Sequence, residues 1–175
     1  MIIGISGRIN SGKTTLAKYL SKSFEWKCVG FGDYIRYIIK EKNVTETREN
    51  LQKFGQSLVD NHLDSFCRGI LNFIEWDGKE NLIIEGIRHT SVLNKIKELS
   101  GDEEFLFVYI STSNNQLMSR KNQLSTKQLG EKYEQHKMEI ETIFELPKLA
   151  DVLIDGESSI EESFKIISVR LTSHN

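Results

Sequence analysis

A glycine-rich segment near the N-terminus has the residue types that bind phosphate. Residues 7–14 read GRINSGKT and fit the pattern G-x4-G-K-[ST] without a mismatch. Glycines let backbone N–H groups approach an anion closely, and a helix that follows adds its positive N-terminal end. The lysine supplies a point charge to the β- and γ-phosphates, and the threonine hydroxyl is a suitable ligand for Mg²⁺. The segment therefore predicts a site for a nucleoside triphosphate.

Two further segments each place an acid three residues before an arginine. Asp33 and Arg36 follow the second predicted strand, while Glu85 ends the third predicted strand and Arg88 follows it. Ligands of open α/β sheets bind beyond the carboxyl ends of strands, so both segments face the phosphate-binding segment. Two arginines can hold the phosphate of a second substrate, and the acids can order Mg²⁺ or accept a proton. Helix capping by the acids, with solvated arginines, is the alternative for each segment.

Short apolar runs alternate along the chain with segments of helical periodicity. The predicted strands are 2–5, 26–31, 82–85, 105–110 and 151–154, and the predicted helices are 13–23, 33–42, 47–75, 90–99, 114–122, 127–146 and 159–172. This alternation requires crossover connections, and the run FLFVYI is apolar throughout, as in a strand covered on both faces. The sequence therefore predicts an α/β fold with a five-stranded parallel sheet and helices on both faces.

Length and composition limit the class of protein. The chain of 175 residues is the size of one domain, and 23 Lys+Arg against 25 Asp+Glu leave a formal net charge of -2. That balance disfavours nucleic acid as a partner, and no apolar run approaches the length of a membrane span. Two cysteines are too few for a disulfide framework. We therefore expect a cytoplasmic protein, a monomer or homodimer, with small-molecule substrates and no membrane partner.

Taken together, the motifs resemble those of the P-loop nucleotide kinases, which include adenylate-kinase-like nucleoside monophosphate kinases and dephospho-CoA kinases. The segment from Gly32 to Arg36 is similar to the family's G-D-x-h-R motif, and Glu85 to Arg88 resembles its D-G-h-(P)-R segment. The combination of MIIGISGRINSGKTTLAKYL with TRENLQKFG most resembles compact, archaeal-type dephospho-CoA-kinase-like proteins. The resemblance implies a single three-layer P-loop domain, 1–175, with a helical acceptor-binding insert at about 33–75 and a short lid at about 119–135.

The same resemblance implies a role for individual residues. ATP would be bound by Gly7, Asn10, Ser11, Gly12, Lys13, Thr14, Thr15 and, in a late strand–loop near the base, Gly156. The acceptor would be contacted by Asp33, Arg36, Gln52, Gln56, Glu85 and Arg88. The catalytic groups would be Lys13, Asp33, Arg88 and the lid residue Arg120, with Mg²⁺ held by Thr14 and Glu85. For the two glutamines, a solvated helix face is the alternative.

Departures from the family pattern bear on the acceptor. Glu85 stands where an aspartate is usual, and Val92 stands where adenylate kinases carry the glutamine that reads AMP. The expected function is transfer of the γ-phosphoryl group of ATP to a small acceptor, foremost a nucleoside monophosphate. Two alternatives stay open: transfer to a hydroxyl as in dephospho-CoA kinase, with Asp33 as base, and a nucleotide-binding regulatory module with weak ATPase activity. We expect His89 at the surface and Glu141 on a solvated helix face.

Overall fold

The computed structural model describes residues 1–113, 117 and 137–172, with the backbone alone for 137–140. Within these residues the strands are β1 (Ile2–Gly7), β2 (Lys27–Gly30), β3 (Leu82–Ile87), β4 (Phe105–Ser111) and β5 (Val152–Asp155). The helices are α1 (Lys13–Phe24), α2 (Phe31–Glu41), α3 (Arg48–Phe73), α4 (Thr90–Leu99), α5 (Lys137–Phe144) and α6 (Ile160–Thr172). A 3₁₀ turn, Leu146–Leu149, follows α5.

The strands form one parallel sheet in the order β2-β3-β1-β4-β5. This confirms the predicted fold class and sheet. The first strand lies at the centre, with β3 on one side and β4 on the other, so the segment that follows it emerges between two neighbouring strand ends. The carboxyl ends of β2 and β3 lie on one side of that segment, and those of β4 and β5 lie on the other.

Helices cover both faces of the sheet and bury a separate core on each. Alternate residues of β1 face opposite sides, so Ile2 belongs to the core shared with α2, α3 and α4, and Ile3 to the core shared with α1 and α6. Ile70 in the first core, and Leu20 and Ile167 in the second, are 0% exposed. Each such side chain stabilises the fold by about 1.5–3 kcal/mol relative to an exposed position.

The long helix α3 confirms the prediction for 47–75, but it bends at His62, whose backbone is not helical (φ -142°, ψ 33°). Polar side chains bond to carbonyl groups around the bend. The Asn61 amide donates to the Ser57 carbonyl at 3.1 Å, and the Ser65 hydroxyl donates to the His62 carbonyl at 3.0 Å. The half of α3 after the bend packs into the first core, while the half before it carries the glutamines expected at the acceptor.

Several predicted boundaries differ from the structure by a few residues, and two of the differences have a local cause. The second strand ends at Gly30 and α2 begins at once with Phe31, because that ring is buried against the sheet and leaves no room for a loop. Near the C-terminus α5 ends at Phe144 and a 3₁₀ turn containing Pro147 follows, since proline disfavours an α-helical residue before it. Of the predicted helix 114–122 only residue 117 is described, and residues 127–136 and the expected lid at 119–135 lie outside the described residues.

None of the helices that the structure describes combines the length and the apolar character needed to cross a bilayer.

Candidate active site

The phosphate-binding segment forms a tight loop between β1 and α1. Gly12 precedes the helix with a left-handed backbone (φ 99°), a conformation that glycine adopts without strain. The Ser11 N–H and the Lys13 ammonium both donate to the Arg8 carbonyl, at 3.1 and 2.7 Å. Lys13 is buried, whereas Thr14 in the first turn of α1 is exposed. The loop therefore presents a lysine and a hydroxyl at a positive helix end, as an anion site requires.

A cleft of about 550 Å³ runs from this loop to the segment that follows β5. Six phosphate-loop residues, 10–15, line one end, and Gly156 and Ser158 line the other. A Cβ atom at Gly156 would lie 2.5 Å from the Thr112 hydroxyl and 2.9 Å from the Ser111 carbonyl, so the position excludes any side chain. The volume falls within the range of small-molecule sites. Gly156 thus borders the same cleft as the phosphate loop. It lies at the β5 edge of the sheet, whereas the loop follows the central strand β1.

The loop is connected to β3 by a hydrogen bond from the Thr14 hydroxyl to Glu85 Oε1, at 3.1 Å. Glu85 pairs with Ile5 in the sheet register, and the register then shifts so that Ser6 pairs with Ile87. The intervening Gly86 has a left-handed backbone, and the Ser6 hydroxyl donates to the Ile87 carbonyl at 2.6 Å. This irregularity ends the regular pairing just after Glu85, beside the phosphate loop.

Two carboxylates, those of Asp33 and Glu85, lie next to the space above Gly30, the last residue of β2. A Cβ atom at Gly30 would lie 2.8 Å from Glu85 Oε1 and 3.2 Å from Asp33 Oδ2, so the missing side chain makes the space that both acids share. The same acids influence the pKa of the Cys28 thiol, two residues before Gly30. Burial chiefly raises the pKa of Cys28 to about 11, and the negative charges of Glu85 and Asp33 add to the rise. The structure thus brings Thr14, Glu85 and Asp33 together.

Arg36 completes this group on the next turn of α2. Its Nη1 atom donates to Asp33 Oδ1 at 2.8 Å, and its Nε atom donates to Glu46 Oε1 at 3.2 Å. The guanidinium is about half exposed, so its ion pairs are screened by solvent and contribute little to stability. An exposed arginine held by two carboxylates is well placed to exchange these partners for a phosphate.

The oxygen atoms at this edge of the sheet fit Mg²⁺. The ion prefers hard oxygen ligands and uses one or two carboxylates together with substrate phosphates and water. The Thr14 hydroxyl and the Glu85 carboxylate are already adjacent, and Asp33 lies in the same space. When bound, Mg²⁺ neutralises charge on the phosphates. Thr14 and Glu85 would hold it, as the sequence predicts.

The structure corrects two expectations for residues outside the motifs. His89, expected at the surface, is only 4% exposed, and its Nδ1 atom lies 3.3 Å from Glu141 Oε1. Glu141 therefore packs against the loop after β3 instead of facing solvent. That loop also contains Arg88, which is half-buried. His89 and Glu141 are 52 positions apart, so local periodicity carried no signal of their contact.

The remaining residues that the sequence singled out for the acceptor or the lid have different surroundings. Gln56 donates from its amide to Asp60 on its own helix at 2.9 Å, which favours the surface alternative for this residue. Gln52 is half-buried, and its Oε1 atom has no hydrogen-bond partner among the described residues. Val92 is 2% exposed in the core, so its position cannot read a nucleotide base. Arg120 lies outside the described residues.

Comparison with known proteins places this architecture in a family. Residues 3–142 match the AAA domain family. A dephospho-CoA kinase of Fusobacterium nucleatum subsp. nucleatum is 31% identical over 189 aligned positions, which cover 94% of each chain. A cytidylate kinase of Haloarcula marismortui is 34% identical over 70 positions, which cover 40% of this chain and 36% of the relative.

The fold has a solved counterpart of nearly the same extent. The crystal structure of shikimate kinase from Aquifex aeolicus superposes with a TM-score of 0.62 and covers 99% of this chain and 98% of its own, at 19% identity. At that identity the likeness concerns the fold alone. The family match over residues 3–142 and the relative that aligns over 94% of each chain together show the family of this protein. The chain belongs to the AAA domain family and to the P-loop nucleotide kinases related to dephospho-CoA kinase, and it is therefore an enzyme of the transferase class.

Proposed function

We propose that this kinase transfers the γ-phosphoryl group of MgATP to a hydroxyl group of a phosphorylated acceptor of the dephospho-CoA class. The observation that carries the proposal is the meeting of Asp33 and Glu85 above Gly30, beside Thr14. One carboxylate can hold Mg²⁺ while the other stays available for a proton. The Fusobacterium relative supports this acceptor class over the nucleoside monophosphate that the sequence motifs favoured.

In the proposed reaction the residues act at defined positions. Lys13 neutralises the β- and γ-phosphates together with the loop N–H groups, and Thr14 and Glu85 hold Mg²⁺. Asp33 accepts the proton of the attacking hydroxyl while the oxygen of that hydroxyl forms a bond to the γ-phosphorus. The bond between that phosphorus and the bridging oxygen of ADP breaks, and ADP leaves. Arg36 and Arg88 orient the acceptor by its existing phosphate.

The cleft supports ATP as the phosphoryl donor. ATP would extend from residues 10–15 to Gly156 and Ser158, with its base beside the segment that follows β5. The two free cysteines agree with the reduced, cytoplasmic compartment in which we place the enzyme.

A nucleoside monophosphate is the second candidate acceptor. The G-D-x-h-R-like segment around Arg36 and the partial likeness to a cytidylate kinase favour it. Such an acceptor already carries an ionised phosphate oxygen near neutral pH, so it needs no general base. The role of Asp33 therefore separates the two candidates.

The test measures ADP formation from MgATP with dephospho-CoA and with a panel of ribo- and deoxynucleoside monophosphates, using Lys13→Ala as the blank. We expect dephospho-CoA to raise the rate by orders of magnitude over the rate without acceptor. Asp33→Asn should then lower kcat by about 10²–10⁴-fold. A rise with a monophosphate and a modest effect of Asp33→Asn would favour the second candidate. A flat panel with ATP still binding would indicate a regulatory module.

A further inference from the structure

We propose that Glu141 is a positioning residue of the acceptor site. From α5 it binds His89 and the N–H group of Thr90, and it thereby sets the direction of the neighbouring Arg88. The inference rests on the proposed function, in which Arg88 binds the phosphate of the acceptor. Neither Glu141 nor α5 belongs to any motif of the phosphate loop or of the acceptor segments.

Glu141 makes three polar contacts where the loop after β3 joins α4. Its Oε2 atom accepts hydrogen bonds from the Thr90 N–H at 2.9 Å and from the Thr90 hydroxyl at 3.1 Å. Its Oε1 atom lies 3.3 Å from His89 Nδ1. The next residue of α5 adds a fourth contact, since the Thr142 hydroxyl donates to the Arg88 carbonyl at 3.1 Å. Two consecutive residues of α5 thus bind three consecutive residues, 88–90, at the junction of this loop with α4.

These contacts replace a local helix cap. The first N–H groups of a helix need acceptors, which a side chain at the N-cap position commonly supplies. At the start of α4 the N-cap residue is His89, and its side chain makes no capping hydrogen bond. The carboxylate of Glu141 takes the Thr90 N–H instead, from 51 residues away. A negative group at a helix N-terminus is also favoured by the helix dipole.

Burial makes the arrangement rigid. The side chains of His89 and Glu141 are 5% and 22% exposed, and Thr142 is fully buried. Burial works against the charged form of Glu141, but the hydrogen bonds from Thr90 and His89 stabilise the carboxylate and leave its pKa below the ordinary value. His89 Nε2 is buried with no hydrogen-bond partner among the described residues, so Nδ1, beside Glu141, is the ring atom that makes a polar contact with them. The loop that carries Arg88 is therefore anchored to α5.

A small displacement of this loop would move a guanidinium that must match the acceptor phosphate in distance and angle. Misplacement of a substrate-positioning group by about 1 Å can cost about 10²-fold in rate. The ATP cleft lies on the other side of β1, at β4 and β5, and residues 141–144, the part of α5 whose side chains the structure describes, do not line it. Loss of the anchor should therefore weaken acceptor binding and leave ATP binding intact.

The experiment measures KM and kcat for both substrates in Glu141→Ala, Glu141→Gln and a matched control, Glu145→Ala. Glu145 is the next glutamate along the chain, but it is exposed and forms an ion pair with Lys148 three residues further on. We expect Glu141→Ala to raise the KM of the acceptor about tenfold, with the KM of ATP changed less than about twofold. Glutamine keeps an oxygen for Thr90, so Glu141→Gln should restore most of the loss, and the control should match the wild type.

The same constants in the Arg88→Ala background separate this inference from the proposed function. If Glu141 acts through Arg88, adding Glu141→Ala to Arg88→Ala raises the acceptor KM by less than about twofold more. Full additivity, or equal effects on both substrates, would overturn the positioning role. An unchanged acceptor KM in Arg88→Ala alone would overturn the proposed acceptor site instead. If Glu141→Ala fails to fold, Thr142→Val removes the hydrogen bond to the Arg88 carbonyl and should raise the acceptor KM in the same selective way.

Discussion

The Thr14 hydroxyl donates a hydrogen bond to Glu85 Oε1 across 3.1 Å and so connects the first turn of α1 with the end of β3. The two residues are 71 positions apart. Their contact brings a hydroxyl and a carboxylate to one point beside the phosphate loop. In the proposed enzyme this point is the Mg²⁺ site.

Thr14→Val keeps the shape of the side chain but removes its hydroxyl. We expect the Mg²⁺ concentration for half-maximal activity to rise about tenfold or more, because an oxygen next to Glu85 is lost. Titration of activity with Mg²⁺ at saturating ATP measures the effect. Thr14→Ser, which retains the hydroxyl, is the matched control and should behave like the wild type. An identical Mg²⁺ dependence in the valine variant would exclude the hydroxyl as a ligand.

Gly30→Ala tests the space shared by Asp33 and Glu85. The backbone at Gly30 is extended and suits alanine, so the fold should be retained. The new methyl group would lie 2.8 Å from Glu85 Oε1, and the carboxylate must move away. We expect kcat/KM to fall about tenfold or more with little change in Tm.

Gly32→Ala provides the comparison for that variant. Its Cβ atom would make only an ordinary contact, 3.6 Å from Arg36 Nη1. Its effect on kcat/KM should be clearly smaller than that of Gly30→Ala. Equal losses in both variants would show that added bulk near α2, and not displacement of the acids, lowers activity.

Glu141 should make stability depend on acid pH. Its pKa is lowered in the folded state from the ordinary value of 4.5, so the unfolded chain binds more protons near that pH. The stabilisation is complete above pH 4.5 and is lost as the pH falls through the folded pKa. The contribution stays below about 1 kcal/mol, because solvent screens a partly exposed carboxylate.

Urea unfolding between about pH 6 and about pH 3 measures this term. The wild type should lose more stability on acidification than Glu141→Gln, and Glu145→Gln should follow the wild type. Parallel curves for the wild type and Glu141→Gln would contradict the contacts with Thr90 and His89.

The two cysteines should react slowly in the folded protein. Burial is the chief cause that raises the pKa of Cys28 to about 11 and that of Cys67 to about 12, and the thiolate is the reactive form. Alkylation by iodoacetamide at about pH 8 should be at least about a hundredfold slower than in the urea-unfolded chain. Mass spectrometry after timed quenching locates each modified thiol. Equal rates in the folded and unfolded chain would contradict the burial of these side chains.

Much of the fold follows from periodicity in the sequence. Apolar runs such as FLFVYI predict the strands because both faces of a parallel sheet are covered, and Leu16 and Leu20 predict one face of α1 because they are a helical turn apart. The boundaries were less predictable. The direct passage from β2 to α2 depends on the burial of Phe31 against the sheet, which no local pattern expresses.

The sequence by itself determined the chemistry of the phosphate loop, because GRINSGKT places every required residue type within eight consecutive positions. It also indicated two acid–arginine pairs, since each lies at or just after the end of a predicted strand. Only the tertiary structure decided which groups come together: Thr14 with Glu85, Glu85 and Asp33 around Gly30, and Glu141 with Thr90. These contacts join elements that are distant along the chain. They arise from strand order and helix packing, and no local spacing encodes them.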